Sequence, residues 1–375
     1  MTTRERIDAA LHYGDYDRLP LVHFGYWRET LERWAAEGHL TADEAEAHAD
    51  GNDIDYAVSG RLGFDCNWQT MFYTTGGLHP GFRSEVVAEF PDGSRHVLDR
   101  NGVVILTRPG AGGIPSEIRH TLTDRASYDE HYRHRYEWSE SRVDIAALDS
   151  LPAGRDTPRG LHCGSLYGHI RDVIGVVGLS YLAVDDEELY REIISTVGEI
   201  CYRNTKFVLE HVAANRPDFR FDFAHFWEDI CFKNGPLVNP AVFRELVGPH
   251  YRRIADLCRE HGIDIVSLDC DGRIDELVPI WLENGVNTMF PIEVGTWNAS
   301  IAPWRERYGR ELRGVGGMDK RVFAADRSAV DAEVERLRPL VDSGGYIPCP
   351  DHRIAPDAKW ELVAYYCDRM RVAFG

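Results

Sequence analysis

Two aspartates one residue apart, Asp269 and Asp271, follow the strongly apolar run 263–268 and precede a helical pattern at 274–281. Carboxylates placed where a buried strand meets solvent can hold a cation, move a proton or bind a polar substrate. In proteins of alternating strands and helices, the carboxyl ends of the strands are where ligands gather. A second polar pair, Asp351 and His352, follows the strand-like stretch 345–347. If both stretches belong to one barrel, Asp269, Asp271 and His352 converge on one pocket. Asp269 needs a partner because it sits one step from a buried strand. Asp271, just before Gly272, suits both a functional role and the cap of the next helix. His352, between Pro350 and Pro356, suits metal ligation or acid–base work.

Further candidates occupy the same edge. His225, Trp227, Glu228 and Asp229 follow the strand-like stretch 220–223, and Glu228 is expected to contact substrate or carry a proton, with service to a helix dipole as its alternative. Glu293, just past 289–292, repeats the placement of a carboxylate beyond a strand; with His225 and Trp227 it is a candidate substrate contact. Tyr26, Trp27, Trp68 and Tyr73 fall in stretches that would ring the mouth and stack on a planar ligand. Asp319 and Lys320 read as a local ion pair.

The elements that must position these residues alternate regularly after about residue 140. Strands are expected at 160–163, 220–223, 263–268, 286–290, 312–314 and 345–347, with helices at 184–215, 240–261, 274–281, 302–308, 328–340 and 357–373. Earlier come a helix to about His12, a strand at 21–24, a helix at 29–37 and the approach to a second strand at 56–64. Such spacing predicts a (β/α)8 TIM barrel spanning residues 1–375 as one domain. Residues 82–107 break the pattern with short strands separated by turns, an inserted antiparallel meander, followed by a glycine-rich loop at 110–115 placed to close over a pocket. No G-x-G-x-x-G follows a strand and no P-loop is present, so a nucleotide cofactor has no support.

The chain has 375 residues, with 42 Lys and Arg against 61 Asp and Glu; its formal charge of -19 disfavours nucleic acid and anionic membranes as partners and favours a small-molecule substrate. No stretch approaches a membrane span, and the opening residues lack an apolar signal core, which predicts a cytoplasmic protein. The eight cysteines are scattered without a C-x-x-C pair, so neither a disulfide framework nor a cysteine zinc knuckle is expected. Cys270 and Cys349 lie beside polar clusters, but strand alternation turns Cys270 away from the face shared by Asp269 and Asp271.

Several of these strand ends together resemble the uroporphyrinogen decarboxylase superfamily of (β/α)8 barrels. The matching residues are Arg4-Glu5-Arg6 with Asp17-Arg18-Leu19-Pro20, Phe226-Trp227-Glu228-Asp229 with Gly235-Pro236-Leu237-Val238-Asn239-Pro240, and Asp271-Gly272 with Pro291-Ile292-Glu293. Gly316-Gly317-Met318-Asp319-Lys320 and Gly344-Gly345-Tyr346-Ile347 with Pro356-Asp357 extend the likeness over nearly the whole chain. True decarboxylases carry an arginine-rich clamp near the N-terminus for their polyanionic substrate; here the region reads His23-Phe24-Gly25-Tyr26-Trp27-Arg28, with one arginine. The chain is closer to the cobamide-dependent methyltransferase branch.

Members of that branch hold zinc through a His-x-Cys pair and a distal Cys, and those positions fall on Asp269, Asp271 and His352. The resemblance therefore implies a divalent metal on these three residues, zinc by family, with iron or manganese also suited to the harder ligand set. It further implies Glu228, Asp271 and His352 as catalytic groups, a corrinoid methyl carrier on a partner protein, and a homodimer. The expected activity is metal-assisted methyl transfer involving a small methylated substrate or thiol. The alternatives are a metal-free decarboxylase of a small carboxylated substrate, a hydrolase using Glu228 with Glu293, and a non-catalytic cofactor-binding barrel.

Overall fold

The computed structural model describes residues 1–110 and 115–375. Strand β1 (Val22–His23) pairs in parallel with β2 (Cys66–Asn67), and β3 (Met71–Phe72) continues the same stave one turn later. An antiparallel meander follows, made of β4 (Glu85–Glu89), β5 (Arg95–Leu98), β6 (Val103–Thr107) and β7 (Ser116–His120) in that spatial order. The meander is thus four-stranded and extends beyond 107. The loop expected at 110–115 falls largely on residues 111–114, outside the described residues.

Beyond the meander the chain builds the rest of the barrel from β8 (Gly160–His162), β9 (Phe223–Trp227), β12 (Val266–Asp269), β13 (Thr288–Phe290), β14 (Arg313–Met318) and β15 (Tyr346–Pro350); a small hairpin, β10 (Cys231–Phe232) and β11 (Gly235–Pro236), rises from the end of β9. β3, β8, β9 and β12 through β15 form one continuous parallel sheet. It closes on the first stave at the rim, where Trp27 N–H donates to the Ile354 carbonyl at 3.1 Å and Ile354 N–H to that of Gly25 at 3.0 Å. The result is an eight-staved (β/α)8 barrel.

Alternation divides the apolar residues into two layers. Val22, Phe24, Cys66, Trp68, Met71, Phe223, Ile265, Phe290, Val315, Ile347 and Cys349 fill the barrel, and Ile7, Ala10 and Leu11 of the helix Thr3–Leu11 plug its amino end. The outward residues, such as Val266, Leu268 and Cys270, pack under the helices. With one end plugged, access to the interior is left to the carboxyl edge.

Several expected elements shift, three of them in ways that matter for the site or its frame. The fourth stave is Phe223–Trp227 rather than 220–223, so His225 and Trp227 belong to the strand. The helix expected at 240–261 is two, Pro240–Leu246 and Gly248–Glu260, broken where Pro249 lacks the N–H that would continue the first. The stretch 56–64 is mostly helix, Asp53–Leu62, before the second stave.

Candidate functional site

Ile265, just before β12, lies in the barrel interior and Ser267 on β12 reaches across to His225, which fixes Asp269 on the same inward face. Asp269 is 5% exposed and accepts a bond from Gln69 Nε2 at 3.2 Å. Two residues on, Asp271 meets His352, with Oδ2 3.3 Å from Nε2. The His352 ring is stacked against Trp27, at 5.6 Å and 13°, and tilted against Phe24 at 5.4 Å. The Asp271 Oδ1 and His352 Nδ1 atoms are buried without hydrogen-bond partners.

Glu293 accepts Gly272 N–H at 2.6 Å and the Thr296 hydroxyl at 2.8 Å. Gly272 has φ +84°, and a Cβ there would lie 2.5 Å from the Cys231 carbonyl oxygen, so only glycine turns this backbone toward Glu293. Asp229, in the left-handed region at φ 51°, lies 3.7 Å from Arg171. Burial raises the Asp229, Asp269 and Glu293 carboxyls above the ordinary carboxylate range, and the negative charge of Asp271 adds to each rise. Asp229, Asp269 and Glu293 therefore each feel the charge of Asp271, the partner of His352.

The structure separates several expected site residues from this group. Counting along β9 from inward His225 makes Trp227 inward and Glu228 outward. Glu228 is fully buried and accepts backbone N–H bonds from Leu166, Tyr167 and Gly168 at 2.8, 2.9 and 2.7 Å, along with the Ser165 and Tyr251 hydroxyls. It anchors the start of the helix Gly168–Ile174 and is closed to substrate, which corrects its catalytic reading and removes any carboxylate pair with Glu293. Tyr26 is corrected likewise. Gly25, at φ +85°, reverses the alternation after Phe24, and Tyr26 is buried against His23, Trp34 and His48. Trp68 is interior packing, stacked on Phe223 at 4.3 Å.

His225 is fully buried, with Nδ1 2.5 Å from the Ser267 hydroxyl and Nε2 without a partner. It lies one layer below Trp227 and Asp269, which are register partners. Burial drives its pKa well below the ordinary value and keeps it neutral. His162 on neighbouring β8 stacks against Tyr73 at 4.8 Å and is pushed down to about 4 by burial. Asp319 pairs with Arg321 at 2.7 Å rather than with Lys320; burial lowers the Lys320 ammonium, while Asp351, Asp271 and Glu293 hold it up. Gln69 and His162 carry no mark in the sequence, and Lys320 reads there only as a partner of Asp319, because only barrel closure brings the three beside Asp269, His225 and Asp271.

The expected metal set does not fit as arranged. Among the described residues no three His, Cys, Asp or Glu side chains are grouped to hold an ion. Asp271 and His352 close on each other instead of flanking a third centre, and Asp269 is turned to Gln69. All eight cysteines are buried; Cys270 faces the outer layer and Cys349 packs inside the barrel, so no thiolate pair faces the mouth.

No family model and no curated protein matches the sequence. Among solved structures, a methyltransferase from Methanosarcina mazei superposes with a TM-score of 0.59 at 14% identity, over 99% of this chain and 98% of that one. A B12-independent methionine synthase from Shewanella sp. W3-18-1 in complex with selenomethionine follows at 0.47 and 11%, over 94% and 97%. A putative vitamin-B12 independent methionine synthase from Listeria monocytogenes stands at 0.41 and 12%, over 96% and 100%. At 14% identity, the likeness to the Methanosarcina mazei protein establishes a shared fold: this chain is a (β/α)8 barrel.

Proposed function

We propose that the chain moves a methyl group from a small substrate held at the carboxyl edge of its barrel, as a relative of the methyltransferase branch of the uroporphyrinogen decarboxylase superfamily. The observation that carries this reading is the Asp271–His352 pair, 3.3 Å apart beneath Trp27, with its second imidazole nitrogen unpartnered. A methyl group leaves a heteroatom as the electrophile of a displacement, and the heteroatom keeps the bonding electron pair and needs a proton. His352 Nδ1 is the proton donor, and Asp271 orients the ring through Nε2. Trp27 covers the ring and limits water. A reduced corrinoid on a partner protein, the co-substrate that the resemblance implies, would supply the nucleophile; Tyr73, 51% exposed, marks the side on which such a carrier could reach the mouth. The fold shared with the Methanosarcina mazei methyltransferase supports the class of reaction.

The competing decarboxylase reading is weakened by charge. A carboxylated substrate would meet Asp229, Asp269, Asp271 and Glu293 without an arginine clamp, because Arg171 is engaged by Asp172 at 3.0 Å and Arg353 by Asp50 at 2.5 Å.

The test is to mix the protein with cob(I)alamin and a panel of O-, N- and S-methyl compounds and follow methylcobalamin by its absorbance. Turnover should fall roughly 10²-fold or more in His352→Ala and in Asp271→Asn, with circular dichroism unchanged. Full activity in both variants, or release of carbon dioxide in place of methyl transfer, would overturn the reading.

A further inference from the structure

Residues 173–184 carry no charged side chain, in a chain whose formal charge is -19. Most of them form the helix Val176–Asp185, which buries Leu179 and Leu182 and turns Val177, Tyr181 and Val184 outward, at 69%, 66% and 81% exposure. Spacings of four and three place those side chains on one stripe of the helix. Exposed apolar residues scattered singly are ordinary, whereas a contiguous stripe marks an interaction surface.

Beside the stripe runs a groove of about 650 Å³, between this helix and residues 119–124. Leu122, Ile174, Gly178 and Leu182 line its apolar part. Its two walls run in the same direction, so its ends differ in charge. Arg119 and His120 lie where the helix begins, with His120 Nδ1 3.1 Å from the Val173 carbonyl and its ring against Gly175. Asp124 and Asp185 lie where the helix ends, together with Asp186, which is 3.9 Å from Arg125.

That order decides what the face fits. A basic partner would be drawn to carboxylates spread over the contact, and the stripe has none. A second copy laid antiparallel meets the stripe with the same stripe and brings its Asp185 end to the Arg119 end, twice, about a two-fold axis. With the axis between Ser180 and Tyr181, Val177 falls opposite Val184 of the second copy. Ser180 is small, and its hydroxyl already donates to the Val176 carbonyl at 2.8 Å, so burying it strands no donor.

We infer that the helix Val176–Asp185 is the contact between two copies of this chain, packed antiparallel about a two-fold axis through its middle. The inference stands apart from the methyl-transfer reading. One short helix and its groove make a contact at the small end of the range of about 1,200–2,000 Å² for stable pairs, and the net charges of the two copies oppose it. The association is therefore weak and reversible, with Kd of roughly 1–100 µM.

Sedimentation equilibrium of the full chain, from about 1 to 300 µM, is the experiment. The mass should rise from that of one chain, 42.6 kDa, toward that of two. Val177→Lys and Val184→Lys each lower the net negative charge, which by itself would favour association, yet each should weaken the pair at least roughly tenfold. Arg119→Glu and Asp185→Arg should each weaken it as well, and the double variant should recover most of the loss, because the two positions meet in an antiparallel pair. These side chains are all exposed, so circular dichroism should not change. A single-chain mass at the highest concentration, which would leave the face to a different protein, would overturn the inference. So would a dimer untouched by both lysine variants, or a charge reversal that the double variant fails to recover.

Discussion

Asp172 is where a single side chain ties stability most directly to pH. Burial raises its carboxyl to about 6, opposed by Arg171 and reinforced by Asp229, Glu117 and Asp99. Its folded pKa lies above its ordinary 3.8, so the native state binds this proton more tightly than the unfolded chain does. The associated stability is fully present below about pH 4 and is lost as pH rises through about 6. Asp172→Asn should therefore stabilise the fold by about 1–2 kcal/mol at pH 8, and be neutral or slightly destabilising at pH 4. Urea unfolding at the two pH values decides; an equal effect at both would contradict the assignment. At this scale the sequence was legible where a polar residue ends an apolar run, as at Asp269, Asp271 and His352. It misled at Glu228 because the strand was ended at Phe223, which left Glu228 in a loop at the mouth, whereas the strand runs to Trp227 and turns the next side chain outward. The partners Gln69 for Asp269 and Ser267 for His225 could not be read, since both contacts depend on which staves lie together.

The end of β9 and the helix Gly168–Ile174 are joined through one carboxylate. Three backbone donors at the helix start, together with two hydroxyls, converge on Glu228, and Gly168 makes the approach possible, since a Cβ there would lie 1.9 Å from the Glu228 carbonyl oxygen. The strand carrying His225 and Trp227 is thereby locked to the helix carrying Arg171 and Asp172. Glu228→Ala leaves those donors buried and unpaired, at a cost of about 3–5 kcal/mol. Thermal unfolding should show it as a large fall in Tm, while Glu228→Gln, which keeps some of the bonds, should lose less. A catalytic role at this position would give the opposite signature, with Tm unchanged and turnover abolished. Such an anchor is hard to see in the sequence, because Glu228-Asp229 reads the same whether its first carboxylate faces the lumen or the helix layer.

The barrel as a whole was legible because βα units repeat at spacings that a (β/α)8 fold requires, and the buried staves are short apolar runs. Two departures have physical reasons. The strand Ser116–His120 is polar and mostly exposed, so neither hydrophobicity nor alternation marked it, and the second stave is split into Cys66–Asn67 and Met71–Phe72, too short to leave a pattern. Charge acts on the entire molecule in a different way from these local pairings. A formal -19 is spread over a surface whose arginines are mostly tied into exposed ion pairs, each contributing little. The excess carboxylates repel one another, and the compact state confines them more closely than the unfolded chain does. Raising NaCl from low concentration to about 0.5 M shortens the screening length to well under 10 Å and weakens both the repulsion and the exposed pairs. If net repulsion dominates, Tm at about pH 8 should rise with salt, and the gain should shrink toward about pH 5 as protonation removes the excess charge. A fall in Tm with sodium chloride at pH 8 would mean that the ion pairs, and not the uncompensated charge, govern the stability of the barrel.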